Sequence, residues 1–252
     1  MNDSKRQDNA KVALITGAAK RIGAAITRKL HSSGYKVIIH CNESTNEAAK
    51  LAEHLNRLKP DSAQVIQQVL SYTSELEKFA EDCTRSFQRL DVVVNNASAF
   101  LPTPLQSLNP GEFDALVNVN LKAPLFLAQH FAPALRKQRG CIVNLIDIHG
   151  EKPLKEYLAY SVSKAGLIML TKALAVELAP CIRVNGISPG AILWPEDTAE
   201  LNELQKKSLL DRIPAGRLGT LEAIAKGVLY LVRDAEFVTG QVISIDGGQS
   251  IA

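Results

Sequence analysis

The sequence is poor in the residues that staple small folds or build metal centres. Its four cysteines, Cys41, Cys83, Cys141 and Cys181, are scattered with no CxxC pair, and three adjoin apolar, strand-like segments. That spacing favours buried thiols in a reducing cytoplasm over disulfides or metal ligands. Aromatic residues make up only 5% of the chain, beside 46% hydrophobic and 22% charged residues, an ordinary composition for a globular domain. The net charge is +3 and dispersed, so there is no basic face for a nucleic acid. No stretch reaches the ~18–20 uninterrupted apolar residues of a membrane span. The opening MNDSKRQDN lacks an apolar h-region, so residues 1–9 read as a flexible tail rather than a secretory signal. Without a repeat or a linker-like Pro/Gly/Ser run, residues 10–252 read as one domain.

What is present is an alternation of short β-branched runs with longer stretches of helical period. The runs Val12–Thr16, Lys36–His40, Ala63–Val69, Asp91–Val94, Cys141–Ile146, Arg183–Ile187 and Gln241–Ile245 predict seven strands. Between them, Ile22–Ser33, Glu43–Leu58, Ser74–Phe87, Pro110–Gln138, Tyr157–Leu178 and Leu221–Arg233 predict helices. Strands that are apolar throughout are buried on both faces, which means a parallel sheet with helices on both sides. Strict β–α alternation then makes it a doubly wound α/β fold. Residues 191–219 depart from this rhythm, with Trp194 and a Pro195–Glu196–Asp197 turn followed by a polar helical stretch, and read as a substrate loop or lid.

Directly after the first strand comes TGAAKRIG, Thr16 to Gly23, opening a helix. Gly17 permits the tight turn, Gly23 permits close packing of helix on strand, and backbone N–H groups at the helix start can hold a pyrophosphate. In a strand–turn–helix context this spacing predicts a dinucleotide site made by Gly17, Lys20, Arg21, Ile22 and Gly23. Arg21 stands where such loops usually carry glycine, and beginning a helix with a cation is unfavourable unless an anion lies nearby. At the end of the second strand, where an NAD site would carry Asp or Glu for the ribose 2′-OH, the chain has His40, with Ser44 close by and Lys20 and Arg21 facing. These groups suit a 2′-phosphate and predict NADPH, although Glu43 is an awkward neighbour for it.

Tyr160 and Lys164 are spaced i, i+4 in YSVSK, so both project from one face of a helix. An ammonium beside a phenol is expected to lower the phenol's pKa and make it a proton donor near neutral pH. Lys164 can also hold the ribose that carries the nicotinamide.

Taken together, TGAAKRIG, Asn95–Asn96–Ala97, Asn120 in VNVN, Tyr160–Lys164, Pro189–Gly190 and Asp246–Gly247–Gly248 resemble the short-chain dehydrogenases/reductases over nearly the whole chain. The resemblance implies a Rossmann-type fold and places Asn96, Ala97, Ser98, Pro189 and Gly190 with Tyr160 and Lys164 at the cofactor. It also implies that Asn120 supports Lys164 through a water. A homotetramer or dimer is implied too, which the apolar segments Pro110–Gln138 and Tyr157–Leu178 would suit.

The departures from that family's usual pattern carry the substrate reading. The customary serine, 13 residues before the tyrosine, is Asp147. A carboxylate cannot polarise a carbonyl as a hydroxyl does, but it can relay a proton or accept the N–H groups of an amino-substituted ring. Phe100 in NNASAF can stack a flat ring against the nicotinamide. KRIG, NNASAF with PTPL, and Asp–x12–Tyr–x3–Lys resemble the pteridine reductase subgroup. The resemblance implies that Arg21, Ser98, Phe100 and Asp147 touch a pterin, with Asp147, Tyr160 and Lys164 carrying out its reduction. Trp194 in the 191–219 loop is expected among the substrate contacts. His40 and Ser44 match that subgroup's 2′-phosphate positions. The Asp it carries near the third strand, for the adenine amino group, appears here as Leu70 or Ser71. The expected substrates are dihydropterins such as dihydrobiopterin or dihydromonapterin, with dihydrofolate a further candidate. The alternative is reduction of a ketone such as a 3-oxoacyl thioester.

Overall fold

The computed structural model describes residues 10–193 and 203–252. Both the 1–9 tail and Trp194 of the expected loop lie outside them. Seven strands, β1 (Val12–Ile15), β2 (Lys36–Cys41), β3 (Ala63–Gln67), β4 (Val92–Asn95), β5 (Cys141–Leu145), β6 (Arg183–Pro189) and β7 (Val242–Ile245), form one sheet in the order β3-β2-β1-β4-β5-β6-β7. Every pairing is parallel. The expectation of a doubly wound seven-stranded α/β sheet therefore holds. Central strands are buried from end to end, whereas β3 and β7 are partly exposed, as edges are.

The helices are α1 (Arg21–Ser32), α2 (Thr45–Leu58), α3 (Leu76–Phe87), α4 (Pro110–Val117), α5 (Ala123–Gln138), α6 (Leu158–Glu177), α7 (Glu203–Leu210) and α8 (Leu221–Leu229). One core, with Ile15, Ile39 and Val94, packs against α1, α2 and α8; the other, with Leu14, Ile38 and Val93, packs against α3, α5 and α6. Strand order reverses between β1 and β4, and ligands bind at such a switch point, beyond the carboxyl ends of the strands.

Besides shifts of one or two residues at other element ends, three differences from the sequence expectation stand out. The continuous helix over 110–138 is two helices joined by a π-helical turn, Asn118–Lys122, which carries Asn120. α2 begins at Thr45 rather than Glu43, which leaves Ser44 at its N-cap. The last turn after α8 is also π-helical, Tyr230–Asp234. α6 is long and apolar enough by composition to cross a membrane, but half of it is buried against the sheet and it carries Tyr160 and Lys164. All four cysteines are free thiols, and Cys41, Cys83 and Cys141 are buried.

The 191–219 excursion is closed at its base. Gly219 N–H donates to the Ala191 carbonyl at 2.9 Å, and α7 supplies the helical stretch expected within it.

Candidate active site

The glycine turn is shaped for close backbone approach. Gly17 has φ +60°, a conformation that favours glycine, and a Cβ at Gly23 would lie 2.2 Å from the Gly17 carbonyl oxygen. No side chain caps α1 and no acidic residue stands in its first turn, so its N–H groups face the crevice without competition. That is the cradle a pyrophosphate needs, and the residues present fit a dinucleotide. Arg21 begins α1 at φ +48°, in the left-handed region. A non-glycine residue held there costs roughly 1–3 kcal/mol.

The neighbouring loop is tied to this turn. Asn96 Nδ2 donates to the carbonyls of Thr16 (2.9 Å) and Gly17 (3.0 Å), and the N–H groups of Asn96 and Ala97 both donate to Thr16 Oγ1 at 2.9 Å. Thr16, read from sequence as the end of the first strand and the start of the glycine-rich turn, is thus the junction of the two loops. On the far side Pro189 ends β6, and Gly190 N–H donates to the Ile245 carbonyl at 3.2 Å.

His40 does not stand where the sequence reading put it. It is 2% exposed, its Nδ1 accepts from Gly17 N–H at 3.0 Å, and its Nε2 donates to the Gln68 carbonyl at 3.0 Å. Burial lowers its pKa to about 4, so the ring is neutral. A neutral imidazole with both nitrogens engaged offers nothing to a phosphate, and His40 instead props the glycine turn from beneath. Around the opening that remains, Ser44 leaves its side chain out of capping α2, and Lys20 Nζ pairs with Glu47 Oε1 at 2.9 Å. Glu43 is exposed beside them.

At the chemical end, Tyr160 and Lys164 are both buried on α6. The Tyr160 hydroxyl donates to Asp147 Oδ2 at 2.9 Å, and Asp147 Oδ1 accepts from His149 N–H at 2.8 Å. Burial, then the Asp147 charge and its hydrogen bond, push the phenol's pKa up. This corrects the expectation of a pKa lowered by Lys164. The ammonium lies 5.6 Å from the centre of the Tyr160 ring rather than at its oxygen, and it donates to the Leu145 carbonyl at 3.0 Å. Burial brings Lys164 down to about 8, against an opposing pull from Asp147. The phenol is therefore held protonated, a weaker acid than a free tyrosine, with its O–H directed at the Asp147 carboxylate.

Asn120 is anchored through its side chain. Its Oδ1 accepts from Ser98 Oγ (3.1 Å) and Ala99 N–H (2.8 Å), and its Nδ2 donates to the Ala99 carbonyl and Ser163 Oγ, each at 3.0 Å. With all four positions filled, its side chain supports the site through the Ser98–Ala99 loop and α6. π-helical turns of this kind recur at functional sites.

Phe100 is 52% exposed, stacks flat on Tyr157 (4.5 Å, 15°) and meets Tyr160 edge-on (4.7 Å, 86°). The three rings form one wall. Tyr157 was not singled out from sequence; its place three residues before Tyr160, on the same helical face, is the signal that could have found it.

The arrangement is a dinucleotide cradle facing a buried Tyr–Lys pair, and the comparisons agree with it. The family model described as enoyl-(acyl carrier protein) reductase matches residues 17–250. Pteridine reductase 1 of Leishmania tarentolae is 35% identical, with 96% of this chain and 97% of that protein covered. A 3-oxoacyl-(acyl-carrier-protein) reductase of Thermotoga maritima is 39% identical, with 94% and 97% covered. An uncharacterized oxidoreductase of Bacillus subtilis is 32% identical over a similar span, 94% and 98%. The chain belongs to the short-chain dehydrogenases/reductases. It is thus an oxidoreductase built for a nicotinamide dinucleotide.

Proposed function

We propose that the chain is an NADPH-dependent pteridine reductase, reducing a dihydropterin to its tetrahydro form. The carrying observation is the Asp147 carboxylate accepting the Tyr160 hydroxyl at 2.9 Å, where a ketone reductase of this family has a second hydroxyl. The turn from Gly17 to Gly23 would hold the dinucleotide, whose reduced nicotinamide would supply the hydride for a ring carbon of the C=N bond. Tyr160 delivers its proton to the adjacent ring nitrogen once its O–H turns from Asp147 to that nitrogen, and the phenolate left behind takes a proton from solvent. The unshared oxygen lone pairs of Asp147 can accept the N–H groups of an amino-substituted ring. Phe100, Ser98 and Arg21 contact the pterin, and Trp194 is a further substrate contact. Lys164 grips the nicotinamide ribose. Lys20, Arg21 and Ser44 take the 2′-phosphate.

The reading extends to a cytoplasmic homotetramer. Val162, Met169 and Val176 expose an apolar stripe on α6 that a second copy would cover.

The test is NADPH and NADH oxidation in parallel with dihydrobiopterin, dihydromonapterin and dihydrofolate. Turnover faster with NADPH is expected, and no oxidation with any of the three sinks the proposal. Tyr160→Phe should abolish turnover and spare NADPH binding. The second reading, a 3-oxoacyl thioester reductase, draws on the Thermotoga maritima relative. Turnover of such a thioester that survives Phe100→Ala would favour it.

A further inference from the structure

Thr103 is a polar residue with no exposed surface, in the loop between β4 and α4 that also carries Ser98 and Phe100. Its N–H donates to the Glu156 carbonyl at 2.6 Å, its Oγ1 accepts from Ala159 N–H at 3.1 Å, and it forms an isolated parallel bridge with Tyr157. These contacts all fall on the first turn of α6 and the residues leading into it.

That turn lacks a cap of its own. Tyr157 occupies the N-cap position and makes no side-chain capping bond. The first N–H groups of a helix have no intrahelical partner, and a Ser, Thr, Asp or Asn at the N-cap ordinarily meets one of them. Thr103 provides that acceptor from 56 residues away. Glu156, just before the helix, is held at φ +68°. Such strain in a non-glycine residue persists only where its surroundings over-determine it, and the bond from Thr103 N–H is one of those restraints. Phe100 and Leu101 on the same loop are otherwise half exposed. One buried residue, by its main chain and its hydroxyl together, therefore fixes two rings at once: Tyr157, by pinning the helix start, and Phe100, by pinning its loop three residues on.

We propose that Thr103 is the positioning residue of the aromatic wall and, through Phe100 and Tyr157, sets the grip on a flat ring substrate. It touches no substrate itself. The inference rests on the reading of a flat heterocyclic substrate given above. Tyr160 and Lys164 keep their own partners, Asp147 and the Leu145 carbonyl, so loosening the clip acts on binding more than on the proton-transfer step.

Thr103→Val keeps the shape and removes the acceptor. The loss of one helix cap is small beside the stability of an ordinary domain, so the variant should fold. A stacked ring contact is worth a few-fold to about tenfold in affinity. With NADPH saturating, KM for the dihydropterin should rise about three- to tenfold while kcat changes less than twofold, and Thr103→Ser should restore both. In a Phe100→Ala background the same substitution should add nothing to KM. Near-UV circular dichroism reads the Phe100–Tyr157 stack without any substrate; Thr103→Val and Phe100→Ala should lose the same band, and Thr103→Ser should keep it. Should Thr103→Val fail to fold, Thr103→Ala carries the same expectations. An unchanged dichroism band, or a lower melting temperature with unchanged KM, overturns the proposal. A wild-type protein that reduces no pterin overturns the proposed function instead, and the dichroism comparison still decides Thr103.

Discussion

His40→Gln separates a prop beneath the glycine turn from a ligand of the 2′-phosphate. In the native protein the imidazole is neutral and buried, accepting from Gly17 N–H and donating to the Gln68 carbonyl, with its ring edge against Phe79 at 5.3 Å. Glutamine keeps a donor and an acceptor but not the ring, so a loss of about 1–3 kcal/mol is expected at pH 7. The pH dependence is the sharper reading. Burial lowers the native pKa from 6.5 to about 4, so the unfolded chain takes up a proton at a pH where the native ring cannot. The stabilising effect is intact above about 6.5 and is lost progressively as the pH falls toward about 4, a loss of about 3 kcal/mol at ~1.4 kcal/mol per pH unit. The variant does not carry this dependence, so the gap between the two melting temperatures should narrow on acidification. His31, also buried with a lowered pKa, acts in the same direction but is common to both proteins. Calorimetry from pH 7.5 to 4.5 checks this, and a gap that stays constant or widens refutes the buried, neutral assignment. Cofactor titration gives the second arm. The glycine turn serves the pyrophosphate shared by NADPH and NADH, so both dissociation constants should rise by the same factor. Weakened NADPH with untouched NADH would return His40 to the 2′-phosphate.

Gly23→Ala places a methyl 2.2 Å from the Gly17 carbonyl, so dinucleotide binding followed by fluorescence should fall by more than tenfold, with a lower melting temperature. Lys164, buried with a pKa of about 8, should lose its charge on the alkaline side, so kcat/KM should decline as the pH rises past about 8. A profile flat to pH 10 would contradict that. Glu47→Gln frees Lys20 from its ion pair, and NADPH should bind severalfold tighter while NADH is unchanged, as read by parallel titrations.

The strands, their order of burial and both glycine roles were legible because each follows from backbone period or from the absence of a Cβ. The break in the helix over 110–138 was not, since a π-helical turn adds one residue per turn without interrupting an apolar run. His40 was misread although the clue was present. In a strand, alternate residues share a face, so His40 goes with Ile38 toward α3 and Phe79. Reading only its place at the strand end, next to the cofactor crevice, hid that direction.

The Tyr160–Lys164 spacing has the same limitation at the site. It establishes a shared helical face, but which group meets the phenol oxygen depends on β5 delivering Asp147 across the crevice, which no local pattern encodes. The consequence is chemical. A serine at 147 would leave the phenol one neutral partner and a substrate carbonyl a second donor. The carboxylate instead removes that donor, raises the phenol's pKa and adds an acceptor for ring N–H groups. A ketone gains nothing from that exchange, whereas an amino-substituted ring with a C=N bond gains an anchor. Asp147→Ser should therefore impair pterin reduction much more than NADPH binding. Equal pterin turnover in the two proteins would remove the chemical reason for preferring a pterin to a ketone.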